Sequence, residues 1–166
     1  LRYFNAAGYD NSLRIKVPEK YSQNLIPKIM NVIIGKEKYL RIYGSDYNTA
    51  DGTCIRDYIH VNDLANAHLK SLNYLIKNDK PLLINLGTGS GYSVLQIVKE
   101  FERLSGLKIN FKFVKRREGD PSVVISKTIY TNCPLKWKPV SSEIKTIISS
   151  VLQIYKLKVV ESWIRI

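Results

Sequence analysis

Apolar positions recur along this chain with two alternating periods, near two and near 3.6. The short period runs through Ile55–Val61, and β-type runs at Leu1–Asn5, Tyr39–Tyr43, Leu82–Leu86 and Ile109–Val114 likewise predict strands. The longer one predicts four helices. The first begins at Asn24 as N-cap, holds Pro27 in its first turn with Ile29, Ile33 and Ile34 apolar, and stops near Gly35. The second spans 62–77, with Leu64, Ala65, His68, Leu69, Leu72, Leu75 and Ile76 on one face, expected to lie inward. Asn62 or Asp63 is its simplest cap, and His68 reads as a core histidine. Ser93 with Gln96 forms a capping box that opens helix 93–105, and Gly106 closes it. The last helix runs from Ser142 to Tyr155 with Ile144, Ile147, Ile148, Val151 and Leu152 inward. Residues 9–23, 44–53 and 115–121 read as loops. Strands alternating with helices imply an α/β layer structure. It is expected to form one unit over 1–156, followed by a patternless tail over 157–166.

The 166 residues suffice for one domain with a real core, and 45% hydrophobic with 24% charged residues is ordinary for a globular chain. No apolar run approaches the roughly 18 residues of a membrane span, so no membrane partner is expected. No basic–apolar–small leader opens the sequence. The first residue is Leu rather than Met and the first strand is entered mid-stride, as expected for a piece of a longer chain. Cys54 and Cys133 have no metal-ligand spacing and read as a reduced pair. The net charge of +12 suggests an anionic partner. Yet 18 Lys, 20 Ile and 12 Asn point to a coding bias, and the lysines are scattered. Only Lys115-Arg116-Arg117 forms a run, followed at once by Glu118 and Asp120. A small, phosphate-bearing anion fits this pattern; a basic module for nucleic acid is the alternative from a different class.

Three chemistries can be weighed on the residues. Gly87-Thr88-Gly89-Ser90-Gly91 sits between a strand and a capped helix, where a dinucleotide fingerprint would sit. Its spacing is G-x-G-x-G, Tyr92 takes the place of the third glycine, and the next strand ends in Phe113-Val114-Lys115 without an acid for a ribose. It reads as a tight turn. His60 and His68 lie eight residues apart across a strand–helix boundary with no grouped acids, so no metal site is expected. Cys54 and His60 stand six apart on an extended segment, roughly 20 Å by strand rise, too far for a dyad. The arginines remain. Arg56 follows a glycine-containing loop and begins a strand, so its guanidinium can fork onto a phosphate, with Asp57 as the acid to hold it. Arg117 lies in the charged loop, where Gly119 would let backbone approach a ligand.

The segments LRYFNAAG, NLIP, YGSDYNTADGTCIRDYIHVNDLANAH, INLGTGSGYSV and RREGDP follow one another over residues 1–139. In order and spacing they resemble the C-terminal half of the UDP-glucose (UDP-galactose) 4-epimerases, in the NAD-dependent epimerase/dehydratase family of extended short-chain dehydrogenases/reductases. The resemblance implies the C-terminal substrate-binding portion of an extended Rossmann-type epimerase, with most of the N-terminal Rossmann core outside this sequence. It implies a cytoplasmic enzyme that oxidises the sugar C4 hydroxyl with tightly bound NAD, lets the 4-keto sugar rotate and returns the hydride to the other face. A homodimer is one assembly it admits for the full-length enzyme.

By position, the resemblance places Phe4 beside the nicotinamide and Asn5 on the substrate. Asn24 and Leu25 fall at the diphosphate, and Arg41, Ile42 and Tyr43 border the uracil. Arg56 is placed on the diphosphate, and Arg117, Glu118, Gly119 and Asp120 close over phosphate and ribose. Val124 falls where the family governs room at sugar C2. The family's NAD glycine fingerprint and its Tyr-x-x-x-Lys pair are not in the chain, so no catalytic residue is assigned, NAD is expected mainly on the missing half, and this portion alone is expected not to turn over. Residues 9–23 lack the family's acidic pattern, and the chain diverges after RREGDP. A sibling nucleotide-sugar epimerase, dehydratase or decarboxylase is the nearest alternative.

Overall fold

A computed structural model of the chain describes residues 1–15, 17–19, 23–127 and 133–156, so the tail at 157–166 lies outside the described residues. Two short strands, β1 (Arg2–Tyr3) and β2 (Asn5–Ala7), lead through a loop to α1 (Leu25–Ile33) and β3 (Leu40–Tyr43). The stretch expected as one strand over 55–61 is divided at Asp57 into β4 (Ile55–Arg56) and β5 (Tyr58–His60), and α2 (Val61–Asn78) follows directly. Then come β6 (Asn85–Leu86), β7 (Tyr92–Ser93), α3 (Val94–Ser105), β8 (Phe111–Val114), β9 (Val123–Val124) and α4 (Ile144–Ile154). The alternation of strands and helices makes the fold α/β, as its pattern predicts.

The strands form parallel pairs β1–β6, β2–β5 and β3–β8, and a three-stranded sheet in which β4 lies between antiparallel β7 and parallel β9. The larger core fills the space between α1, β3, α3 and α4, with Ile29, Met30, Ile42, Phe101, Ile147 and Ile148 closed to solvent. The apolar stripe expected on α4 is buried throughout, whereas on α1 Ile29 is buried with Ile26 and Met30 while Ile33 is half-buried and Ile34 exposed. Ser93 accepts from Gln96 N–H at 3.1 Å while Gln96 Oε1 accepts from Ser93 N–H at 2.8 Å, and Gly106 ends α3 in a left-handed conformation. A smaller core joins Ile59, Leu64, Ala67, Leu86, Leu135 and Trp137.

Helix α2 corrects the expected face. It meets β5 and β2 through Asp63, Leu64, Ala67 and Ser71, all buried. Leu69, Leu72, Leu75 and Ile76 lie outward, 44–73% exposed. His68 is exposed as well, with its ring edge against Tyr3 at 6.0 Å and Nδ1 2.8 Å from Leu64 O. Small side chains let the helix sit close to the strands, and the bulkier stripe is left facing solvent.

The cap of α2 is also not the one expected. His60, closed to solvent, accepts from Asn62 N–H at 3.0 Å through Nδ1, and its own N–H donates to Ser142 Oγ at 2.8 Å. Asp63 reaches across the fold and accepts from Val140 N–H at 3.0 Å, Ser141 N–H at 2.9 Å and Ser142 Oγ at 2.6 Å. His60 must be neutral to accept at Nδ1, and burial lowers its pKa from 6.5. The unfolded chain therefore takes up a proton near pH 6.5 that the folded chain refuses. The stability His60 contributes is complete above that pH and falls as pH drops below it, by at most about 1.4 kcal/mol per unit. Unfolding midpoints between pH 7.5 and 5.5 are expected to fall in the unaltered chain and to flatten in His60→Gln. An equal slope in both would contradict this role.

Candidate functional site

Two cavities meet beside β2, α1 and Tyr58. The smaller, of about 590 Å³, takes walls from α1, β3, β4 and the 115–121 loop. Asn5, Asn24, Leu25, Arg41, Ile42, Tyr43, Arg56, Arg117 and Asp120 all line it, so nine positions from five separate stretches converge there. The larger cavity, about 1190 Å³, has Phe4 on its wall and shares Asn5, Asn24, Leu25 and Tyr58 with the first. Glu118 and Gly119 line neither and are exposed. Gly119 has φ +72° with nothing within 4 Å of an added Cβ. The turn therefore uses glycine for its backbone conformation.

Arg56 is held by neighbours on both sides of β4: it lies opposite Tyr92 in one register and Val124 in the other. Its Nη1 donates to Ile55 O at 2.7 Å, and Nη2 pairs with Asp120. Asp120, not Asp57, is thus the acid that holds it. The pair is largely enclosed, with side-chain exposures of 13% and 24%. Arg117 stacks over Tyr43, its guanidinium carbon 4.0 Å from the ring centre. Arg116 lies 4.1 Å over Tyr47 and donates to Asp46 Oδ1 at 2.7 Å, which holds the Asp46 carboxyl below the usual carboxylate range. These contacts seat the charged loop against β3 and the loop after it.

Asn24 is the N-cap residue of α1, as expected, with extended φ −71° and ψ 154°, but its side chain makes no capping bond. Lys28, one turn on, pairs with Glu37 at 2.9 Å on the same wall, and Lys28 and Asn31 together lower the Glu37 pKa. Sequence reasoning missed seven residues lining the smaller cavity, Lys28, Glu37, Cys54 and Tyr58 among them. Lys28, Glu37 and Cys54 carried no motif of their own, and Tyr58 lay inside a run read only as strand. Burial pushes the Tyr58 hydroxyl and the Cys54 thiol up, so neither is primed to ionise. His60 accepts from Asn62 N–H through its ring Nδ1 and donates to Ser142 Oγ through its backbone N–H. Among the described residues no group of three or more His, Cys, Asp or Glu could hold a metal.

The glycine loop after β6 has its amides already engaged. Thr88 and Gly89 N–H donate to Asp57, at 2.9 and 3.2 Å, so these amides do not face a cofactor phosphate. The chain packs Gly87 so closely that an added Cβ would lie 2.5 Å from Asp57 Oδ2 and 2.3 Å from Ser126 Cβ.

The model of the NAD dependent epimerase/dehydratase family matches residues 1–87, more than half of the chain. The chain belongs to this family. It is 46% identical over 138 residues to the UDP-glucose 4-epimerase of Pasteurella multocida, covering 82% of this chain and 41% of that one. Among solved structures, it matches UDP-glucose 4-epimerase from Brucella ovis in complex with NAD, at TM-score 0.87 and 39% identity, over 96% of this chain and 49% of that one. The Stenotrophomonas maltophila enzyme with bound NAD and formylated UDP-arabinopyranose matches at TM-score 0.86 and 35% identity, over 93% and 46%. The chain therefore spans less than half the length of each. No described helix is long and apolar enough to cross a membrane.

Gly87→Ala is expected to destabilise the chain by about 1–3 kcal/mol, the usual result of forcing an extra methyl into packed surroundings. Urea unfolding monitored by circular dichroism measures it, and an unchanged midpoint would show that the loop yields freely.

Proposed function

We propose that the chain is the UDP-sugar-binding portion of an NAD-dependent UDP-glucose 4-epimerase, which interconverts UDP-glucose and UDP-galactose by transient oxidation at C4. The convergence of Asn5, Asn24, Leu25, Arg41, Ile42, Tyr43, Arg56, Arg117 and Asp120 on one cavity carries the reading. A nucleoside diphosphate needs cationic donors for its phosphates, and Arg56 and Arg117 supply forked guanidinium groups on the wall. The first amides of α1, beginning at Leu25, add a second favourable end. Tyr43 offers a ring face and β3 its backbone to a flat base, while Asp120 offers oxygens to a ribose. Asn5, shared by both cavities, is suited to hold the sugar where they meet.

NAD supplies the hydride exchange when bound. The described residues fit only its nicotinamide edge, through Phe4 on the larger cavity, because the glycine-loop amides are committed to Asp57. The rest of the cofactor site and the proton-transferring side chain belong to the portion of the enzyme beyond these residues. The role of this chain is to bind and orient the nucleotide sugar. The outward stripe of α2, Leu69, Leu72, Leu75 and Ile76, is the face against which that other portion would pack.

Arg56→Ala is expected to weaken UDP binding, measured by calorimetry on this chain, on the order of 30-fold, the usual loss for a hydrogen bond to a charged group. Unchanged affinity would remove Arg56 from the site. Produced alone, the chain is expected to associate through the α2 stripe. Leu72→Glu with Ile76→Lys would then raise its soluble yield and lower binding of a hydrophobic dye, and no change in either would show that this stripe is not the sticky face.

A further inference from the structure

Asp57 lines neither cavity, yet it joins the segments that do. Its side chain is closed to solvent, and among the described residues every partner is an uncharged donor. Thr88 donates from N–H at 2.9 Å and from Oγ1 at 2.7 Å, Gly89 from N–H at 3.2 Å, and Ser126 from N–H at 3.1 Å. A buried carboxylate without a cation is costly unless its oxygens are satisfied, and these four donors satisfy them. The backbone of the same residue is equally engaged. Its N–H donates to Val124 O at 3.1 Å and its carbonyl accepts from Asn5 N–H at 3.0 Å.

These bonds bear on the site because of what adjoins them. Arg56 precedes Asp57 and points into the smaller cavity, and Asn5 enters it directly from the bonded amide. Val124, bonded by the Asp57 backbone, stands opposite Arg56 in the β4–β9 register. Loss of the carboxylate leaves three amides without this acceptor, while Thr88 Oγ1 keeps Ser90 O at 3.0 Å, so the glycine loop and the Val124–Ser126 segment must shift. A bidentate fork onto a phosphate is sensitive to displacements of about 0.5 Å.

We propose that Asp57 is a positioning residue for the diphosphate site, its carboxylate fixing the direction of Arg56 and the entry of Asn5 through the amides of residues 88, 89 and 126. This rests on the reading of the smaller cavity as a UDP site. Asp57→Asn keeps the size but turns an NH2 toward groups that are all donors.

The test is calorimetry of this chain with UDP and with uridine, for Asp57→Asn, Arg56→Ala and the double variant, with circular dichroism to confirm folding. Asp57→Asn is expected to weaken UDP binding roughly 10- to 100-fold, the range found when outer hydrogen-bond partners of liganding groups are removed at metal sites. Uridine, which has no phosphate for Arg56, should bind as before. In the Arg56→Ala background the same change should cost UDP less than about 2-fold, because the two act as one unit. Thr88→Val removes one donor from a half-exposed residue and covers the case in which Asp57→Asn does not fold. Its expected loss is about 5-fold for UDP and none for uridine. Equal weakening of UDP and uridine, an undiminished loss without Arg56, or no loss in Thr88→Val would overturn the positioning role. If Arg56→Ala alone leaves UDP affinity unchanged, or the unaltered chain binds no UDP, the diphosphate reading fails and this proposal with it.

Discussion

The fold around the site depends on carboxylates of segment 51–65 accepting backbone amides from distant parts of the chain. Asp51 takes Thr53 N–H at 2.9 Å and pairs with the hydroxyl of Ser93, the residue that caps α3. Asp57 takes the amides of Thr88, Gly89 and Ser126, and Asp63 those of Val140 and Ser141. A buried acid that finds no acceptor-hungry donor would carry a large desolvation cost. Here each finds several, and apart from the local Asp51–Thr53 bond they tie this segment to chain some 30 to 80 residues away. Two-residue strands such as β4, β7 and β9 cannot hold a sheet by ladder bonds alone, so these side chains set their register.

The same segment delivers Arg56 to a cavity whose other walls come from α1, β3 and the 115–121 loop. Within the chain two of the three cavity arginines contact an acid and a ring: Arg56 with Asp120, Arg117 with Tyr43. A carboxylate on one guanidinium and an aromatic face under the other are the partners that a diphosphate and a base would also present. This likeness in chemistry supports the proposed nucleotide site, which the net charge of +12 alone would not. The scattered lysines set the charge, whereas the site is made by a few groups held at fixed angles.

How much of this was legible in the residues varied with the physics. Helix α3 is written locally, in Ser93, Gln96 and Gly106, and it forms as written. Helix α2 is equally clear as a helix, but its inward side is not. Periodicity reports that a stripe is apolar, and only packing decides whether Ala67 and Ser71 or Leu72 and Ile76 face the strands. The division at Asp57 was hidden because an acid in a strand-like run carries no local sign of four donors arriving from residues 88–126. Arg56 stood out through its loop and strand, yet its acid turned out to be 64 residues away rather than adjacent. The convergence of the remaining positions followed from the family resemblance, since Asn24, Tyr43 and Arg117 share no motif that spacing alone would connect.

The proposed occupant of the cavity bounded by β3, β4, α1 and the 115–121 loop is a nucleoside diphosphate. Chemical-shift mapping of the chain on titration with UDP tests it most directly. Occupation of this cavity requires the largest amide shifts at residues 24–25, 41–43, 55–58 and 117–120, saturating together along one binding curve. Shifts that gather elsewhere, or that spread over the scattered lysines and vanish with added salt, would contradict it.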